Sequence, residues 1–135
     1  MGLVEELGSH IATASTRFVL GTSLFLNNLP DEPNAAASII EYGGSAPDYV
    51  FANSLPVNEN QRVQIVCRST SSQTARTNIG AAWVASQTIV NQTVGSGATW
   101  LRATPVQSPF LVTRDSQGRV LYGFNLACTR RTTST

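Results

Sequence analysis

Residues 100–131 read WLRATPVQSPFLVTRDSQGRVLYGFNLACTRR. In the second half, Val120, Tyr122, Phe124, Leu126 and Cys128 alternate with Leu121, Gly123, Asn125 and Ala127. A period of two with one strongly apolar face predicts a long β-strand. In the first half, Trp100, Arg102, Thr104 and Val106 alternate with Leu101, Ala103 and Pro105, which predicts its antiparallel partner. Between them, Arg114-Asp115-Ser116-Gln117-Gly118-Arg119 is a polar turn. Asp and Ser side chains bond their own backbone in such turns, and Gly118 can supply a positive φ. Pro105 and Pro109 bring no N–H to a ladder. The first strand is therefore expected to break near Gln107-Ser108-Pro109 and to resume at Phe110-Leu111-Val112.

The rest of the chain is read against that hairpin. At the N-terminus, Leu3, Leu7, Ile11 and Ala14 recur at helical spacing, predicting a helix over Leu3–Ser15. Glu5 and Glu6 suit the positive pole of its first turn, and Arg17 the opposite pole. Thr22–Leu26 and Ala35–Tyr42 read as strands around a loop, Asn27–Asn34, rich in Asn, Asp and Pro. Ser45–Gln61 reads as irregular, and long loops in small domains are usually functional or mobile. Its aromatics Tyr49 and Phe51 either form a contact surface or tuck onto the core. Arg62–Arg68 alternates cleanly and predicts a strand. Ser69–Ser72 can cap the helix expected over Ala75–Val90, in which Gly80 would allow close approach to a sheet. The order α-β-β-β-α-β-β predicts an α+β domain over residues 1–131. Its antiparallel or mixed sheet has about five strands, with both helices on one face. Residues 132–135 are a polar tail, expected to be loose from Thr129 on.

Composition narrows the function. Charged residues make up only 13% of the chain, about half the usual share, as suits a surface engaged in protein contact. All nine cations are Arg, and eight carboxylates offset them, so the basic excess of a nucleic-acid grip is missing. No apolar run approaches the ~18 residues that would cross a bilayer. The acidic start lacks the pattern of a secretion signal, and the expected origin is cytosolic. Cys67 and Cys128 both fall on apolar strand faces. Two buried free thiols are the expectation, with a cross-strand disulfide as the alternative. The lone histidine, His10, stands one turn from Glu6, which predicts a surface helical pair rather than catalysis. Asp31 and Glu32 lack the spacing of a calcium loop. Neither a zinc ligand set nor a phosphate-cradling glycine motif is present. No enzyme activity, cofactor or metal is expected, which leaves structural proteins and binding modules.

Several stretches in order resemble one family. They are Gly21-Thr22-Ser23-Leu24-Phe25-Leu26 with Leu29-Pro30-Asp31, and Glu41-Tyr42-Gly43-Gly44 with Pro47-Asp48-Tyr49. They continue with Val63-Gln64-Ile65-Val66-Cys67-Arg68, and Val106-Gln107-Ser108-Pro109-Phe110. Last come Arg114-Asp115, Gly118-Arg119 and a strand ending in Arg130-Arg131. The set is similar to bacteriophage minor capsid or tail completion proteins, which resemble tail terminators of long-tailed phages. The second helix departs from that family in its abundance of Ser, Thr, Asn and Gln, and the tail after Arg131 is extra. The resemblance implies a virion protein, assembled in the host cytoplasm, that forms a hexameric ring on the tail tube. Such a ring stops tube growth, meets the head connector and lets DNA pass without sequence-specific binding. Its implied partners are further copies of the chain, the tube protein and the connector or stopper. Contacts are expected in the loops and at the hairpin tip: Arg114, Asp115 and Arg119 first, then Asp31, Glu32, Tyr49, Phe51, Arg130 and Arg131. Charge reversal at Arg114 and Arg119 is expected to spare the monomer and impair assembly. A head-side neck protein is the alternative within the virion, and a small nucleic-acid or ligand-binding module the alternative outside it.

Overall fold

The computed structural model describes residues 3–49, 57–93 and 99–132, with backbone only at 44–49, 57, 58, 91–93 and 132. Its elements are α1 (Leu3–Ala14), β1 (Leu24–Leu26), β2 (Ala36–Tyr49), β3 (Val57–Ser69), α2 (Ser72–Ser86), β4 (Val90–Thr93), β5 (Thr99–Pro105), β6 (Phe110–Arg114) and β7 (Val120–Thr132). One mixed sheet runs β1-β2-β3-β7-β5-β4, with β6 beside β7 below β5. Only β1 and β2 run parallel. The α+β class, the mixed sheet and the two helices are as the sequence predicts.

The hairpin predicted over residues 100–131 is present. β5 pairs with Leu126–Arg131 of β7, and β6 pairs with Val120–Gly123. The two pieces form one strand interrupted at Val106–Pro109. Val106 N still donates to Asn125 O, and Gln107 Oε1 accepts from Asn125 N. The turn closes as its residues dictate. Asp115 Oδ1 accepts from the N–H groups of Gln117 and Arg119, and Gly118 takes φ +78°.

One face of the sheet carries the core. The register sets Val63 beside Leu126, Ile65 beside Phe124 and Ala37 beside Cys67. Leu3, Val4, Leu7 and Ile11 of α1 and Ile79, Ala82 and Ala85 of α2 join these in one buried cluster. Full burial of each large aliphatic contributes ~2 kcal/mol. Cys67 and Cys128 are buried free thiols in that layer.

Four readings need correction. Within the stretch Ser45–Gln61, expected to be irregular, the described residues 45–49 and 57–61 are strand, because β2 runs to Tyr49 and β3 starts at Val57. Its polar residues pair through backbone, which composition does not register. α2 starts at its Ser71 cap and ends at Ser86 rather than Val90. Ile89 stays buried beyond the helix, and Val90 begins an extra strand, β4. Gly80 approaches nothing, since a Cβ there would meet open space. β7 continues to Thr132 opposite Val57, where a loose tail was expected from Thr129.

Candidate functional site

Turn chemistry and one buried strand residue build the first cluster. Asn27–Asn34 folds over the sheet face that the helices leave open, where Arg68 on β3 and Arg119, just before β7, hold it. The Arg68 guanidinium donates to the carbonyls of Pro30, Asp31, Pro33 and Asn34, at 2.6, 3.3, 2.6 and 3.3 Å. Arg119 Nε bonds Asp115 Oδ2 at 2.6 Å and its Nη2 bonds Asp31 Oδ1 at 2.8 Å. Arg119 Nη1 donates to Asp31 O and to Asn34 Oδ1. Gln117 adds a bond to Asp31 Oδ1 at 3.0 Å. Planar guanidinium forks suit this multidentate clamping.

The charges follow the geometry. The Asp31 carboxylate bond raises the Arg119 pKa, against the opposing pull of burial. Burial pushes Asp115 up, but the hydrogen bonds from Arg119 and Gln117 outweigh it and hold the carboxyl below its ordinary range. Burial, then repulsion from Arg119, lowers Arg68.

A second cluster lies at the other end of β7, on the helix face. Arg130 Nη1 meets Glu6 Oε2 at 3.3 Å and its Nη2 meets Glu59 Oε2 at 3.0 Å. Trp100 Nε1 donates to Glu6 Oε1 at 2.6 Å. Glu6 is fully buried, which corrects its reading as half of a surface pair with His10. His10 Nε2 instead lies 2.7 Å from Thr88 Oγ1 and 3.2 Å from Ala85 O, tying α1 to the end of α2. Burial lowers the His10 pKa, opposed by the carbonyl bond.

The residues expected at contacts thus separate. Arg119, Asp115 and Asp31 come together within the chain, and Arg119 is only 4% exposed. Charge reversal there would set a carboxylate against Asp31 and Asp115, so it would disturb the monomer, contrary to expectation. Arg130 is buried too. Arg114 and Glu32 are exposed, as is Arg131, opposite Asn58 and Thr99 in the sheet register. Tyr49 closes β2 in backbone pairing with Val57, its side chain outside the described residues, and Phe51 lies wholly outside them.

The sequence reading overlooked the exposed side chains of β6. Phe110, Leu111 and Val112 all face solvent, with Val106 beside them. Three consecutive apolar residues after a proline were the available signal, and they read simply as strand. Val19 and Leu20 are exposed at the opposite edge, beside β1. Among the described residues, no three His, Cys, Asp or Glu side chains gather as a metal site, and no helix is long and apolar enough to cross a membrane. What this surface offers is apolar strand edge and polar loop, the materials of protein contact.

No curated protein matches the chain. A family model described as Bacteriophage tail terminator protein matches residues 14–132. That span takes in every strand, α2 and both arginine clusters apart from Glu6, and the chain belongs to the family of bacteriophage tail terminator proteins.

Proposed function

We propose that the chain forms a ring at the head-proximal end of the phage tail tube, where it stops tube polymerisation and joins the tail to the head connector. The family match over residues 14–132 carries this reading. The role is structural, without catalysis: the ring presents one face to the tube and a different one to the head, and DNA passes through its lumen. A head-to-tail ring needs two unlike patches on each subunit, and closure of the rotation limits its growth. Stopping the tube needs a face that the next tube ring does not fit. A formal net charge of +1 suits a conduit that lets DNA slide, because tight phosphate binding requires many unpaired cations.

Electron microscopy of lysates from phage lacking this gene tests the reading. Head-free tails of excessive and variable length are expected. Tails of normal length beside filled or leaking heads would move the protein to the head side of the neck. Ordinary infectious virions would remove it from tail assembly.

A further inference from the structure

The sheet is open, and its two lower edges differ. Among the described residues, β6 pairs only with β7, so its outer side carries unpaired backbone groups. Its first three side chains, Phe110, Leu111 and Val112, are apolar and exposed, Leu111 by 51%, and Thr113 and Arg114 follow them. At the other edge, β1 pairs with β2, and the turn before β1 takes up Leu24. Leu24 N donates to Val19 O at 3.0 Å, and Leu24 O accepts from Gly21 N at 2.9 Å. That edge therefore presents side chains rather than a ladder: Val19 is 53% and Leu20 39% exposed. A shallow recess lined by Leu20, Gly21, Leu24, Phe25 and Leu26 lies beside them.

One row of the register joins the two edges. Leu24 stands beside Ala37, Ala37 beside Cys67, Cys67 beside Tyr122 and Tyr122 beside Leu111. At ~4.8 Å per strand the ends of this row lie roughly 19 Å apart. One end offers apolar knobs and the other an apolar recess. A surface whose complement sits elsewhere on the same molecule makes head-to-tail contacts, which generate rings when the rotation closes.

We propose that the β6 edge, Phe110–Val112 with Val106, docks against the β1 edge of a second copy of this chain, where Val19, Leu20 and Leu26 receive it. This rests on the reading of the protein as a ring-forming terminator. Val106, Phe110, Leu111 and Val112 are each 36–51% exposed, and together they would supply the apolar centre of such a contact. A standard interface takes ~800 Å² from each partner, apolar at its centre and polar at its rim. The flanking Ser, Thr, Asn and Gln supply that rim. One such contact is weak alone and gains when the ring closes, because the last contact forms within an assembled object. The capped β1 edge also prevents strand-by-strand growth of one continuous sheet.

Cross-linking within assembled tails tests the contact. Phage are made whose full-length protein carries Leu20→Cys and Leu111→Cys together, or either alone, and purified tails are treated with a short bifunctional maleimide. The native thiols are buried and stay unmodified. The double variant is expected to give a ladder of covalent oligomers that neither single variant gives. Equally strong dimers from Leu111→Cys alone would mean that like edges meet, and would overturn the proposal. So would the absence of any ladder from tails holding the normal amount of protein. Leu111→Asp gives a second reading: the purified chain should keep its far-ultraviolet circular dichroism, and phage relying on it should lose at least 100-fold in yield. Full yield would overturn the contact. Overlong tails on gene deletion without a ladder would remove this contact and leave the terminator reading standing. A ladder in phage whose tails keep normal length without the gene would do the reverse.

Discussion

Arg130 enters the interior with company, and its partners make it measurable. Its charge lies between Glu6 and Glu59, and Glu6 also receives Trp100 Nε1. Removing one member of a buried pair strands the other. Glu6→Gln keeps an acceptor for Trp100 and is expected to cost ~3 kcal/mol in urea denaturation. Adding Arg130→Met should cost less than the sum of the two single changes, since the pair acts as a unit. The thiols make a second residue-scale test. Burial pushes Cys67 up to about 12, and pushes Cys128 up to about 12 despite the nearby Arg130. Folding thus favours the neutral thiols. Their contribution is complete below pH ~9, the unfolded value, and is lost as pH rises from there toward ~12. The denaturation midpoint is expected to fall over that range. At pH 8 an aromatic disulfide reagent should react with neither thiol in the folded chain, and with both after unfolding.

Two glycines separate the demands of helix and sheet. Gly80 lies in α2 with open space where a Cβ would stand. Gly80→Ala is expected to stabilise the chain by up to ~1 kcal/mol, through helix propensity and a less flexible unfolded state. Gly123 lies in β7, where a Cβ would come within 2.9 Å of Ile65 O and 3.1 Å of Val112 Cγ2. Because a backbone oxygen cannot swing aside, Gly123→Ala is expected to cost ~1–3 kcal/mol and to loosen β6. Thermal unfolding of the two variants should therefore shift in opposite directions. The same pair marks what is legible at this scale. The alternation from Val120 to Cys128 announces β7 because every second residue is apolar. Nothing local distinguishes the crowded Gly123 from the open Gly80, since the crowding comes from β3 and β6.

At the scale of the molecule, three of the nine arginines are engaged inside. Arg68, Arg119 and Arg130 are buried, held by loop carbonyls or by carboxylates of the same chain. Cations so engaged release few counterions from a DNA duplex, and affinity for DNA is mostly counterion release. The purified protein is expected to give no shift of a double-stranded fragment at 150 mM salt and at protein concentrations up to ~10 μM. Retardation there that weakens steeply with added salt would contradict the picture of a slippery conduit.

The strand alternation, the broken first arm of the hairpin, the Asp115–Gly118 turn and the apolar stripe of α1 from Leu3 to Ile11, though not its expected member Ala14, which is exposed, were legible in the sequence. Each rests on residues within a few positions of one another, where periodicity and backbone sterics act. The candidate site was legible in smaller part. Arg119, Asp115 and Asp31 stood out by residue type, yet only the fold brings position 31 to position 119 and turns an apparent surface charge into a buried clamp. Arg68 and Glu6 carried no local sign, because burial and pairing are set by elements distant in the chain. The exposure of Phe110, Leu111 and Val112 was likewise decided by tertiary structure. The same three residues would be core in a central strand, and they face solvent because the sheet ends with them.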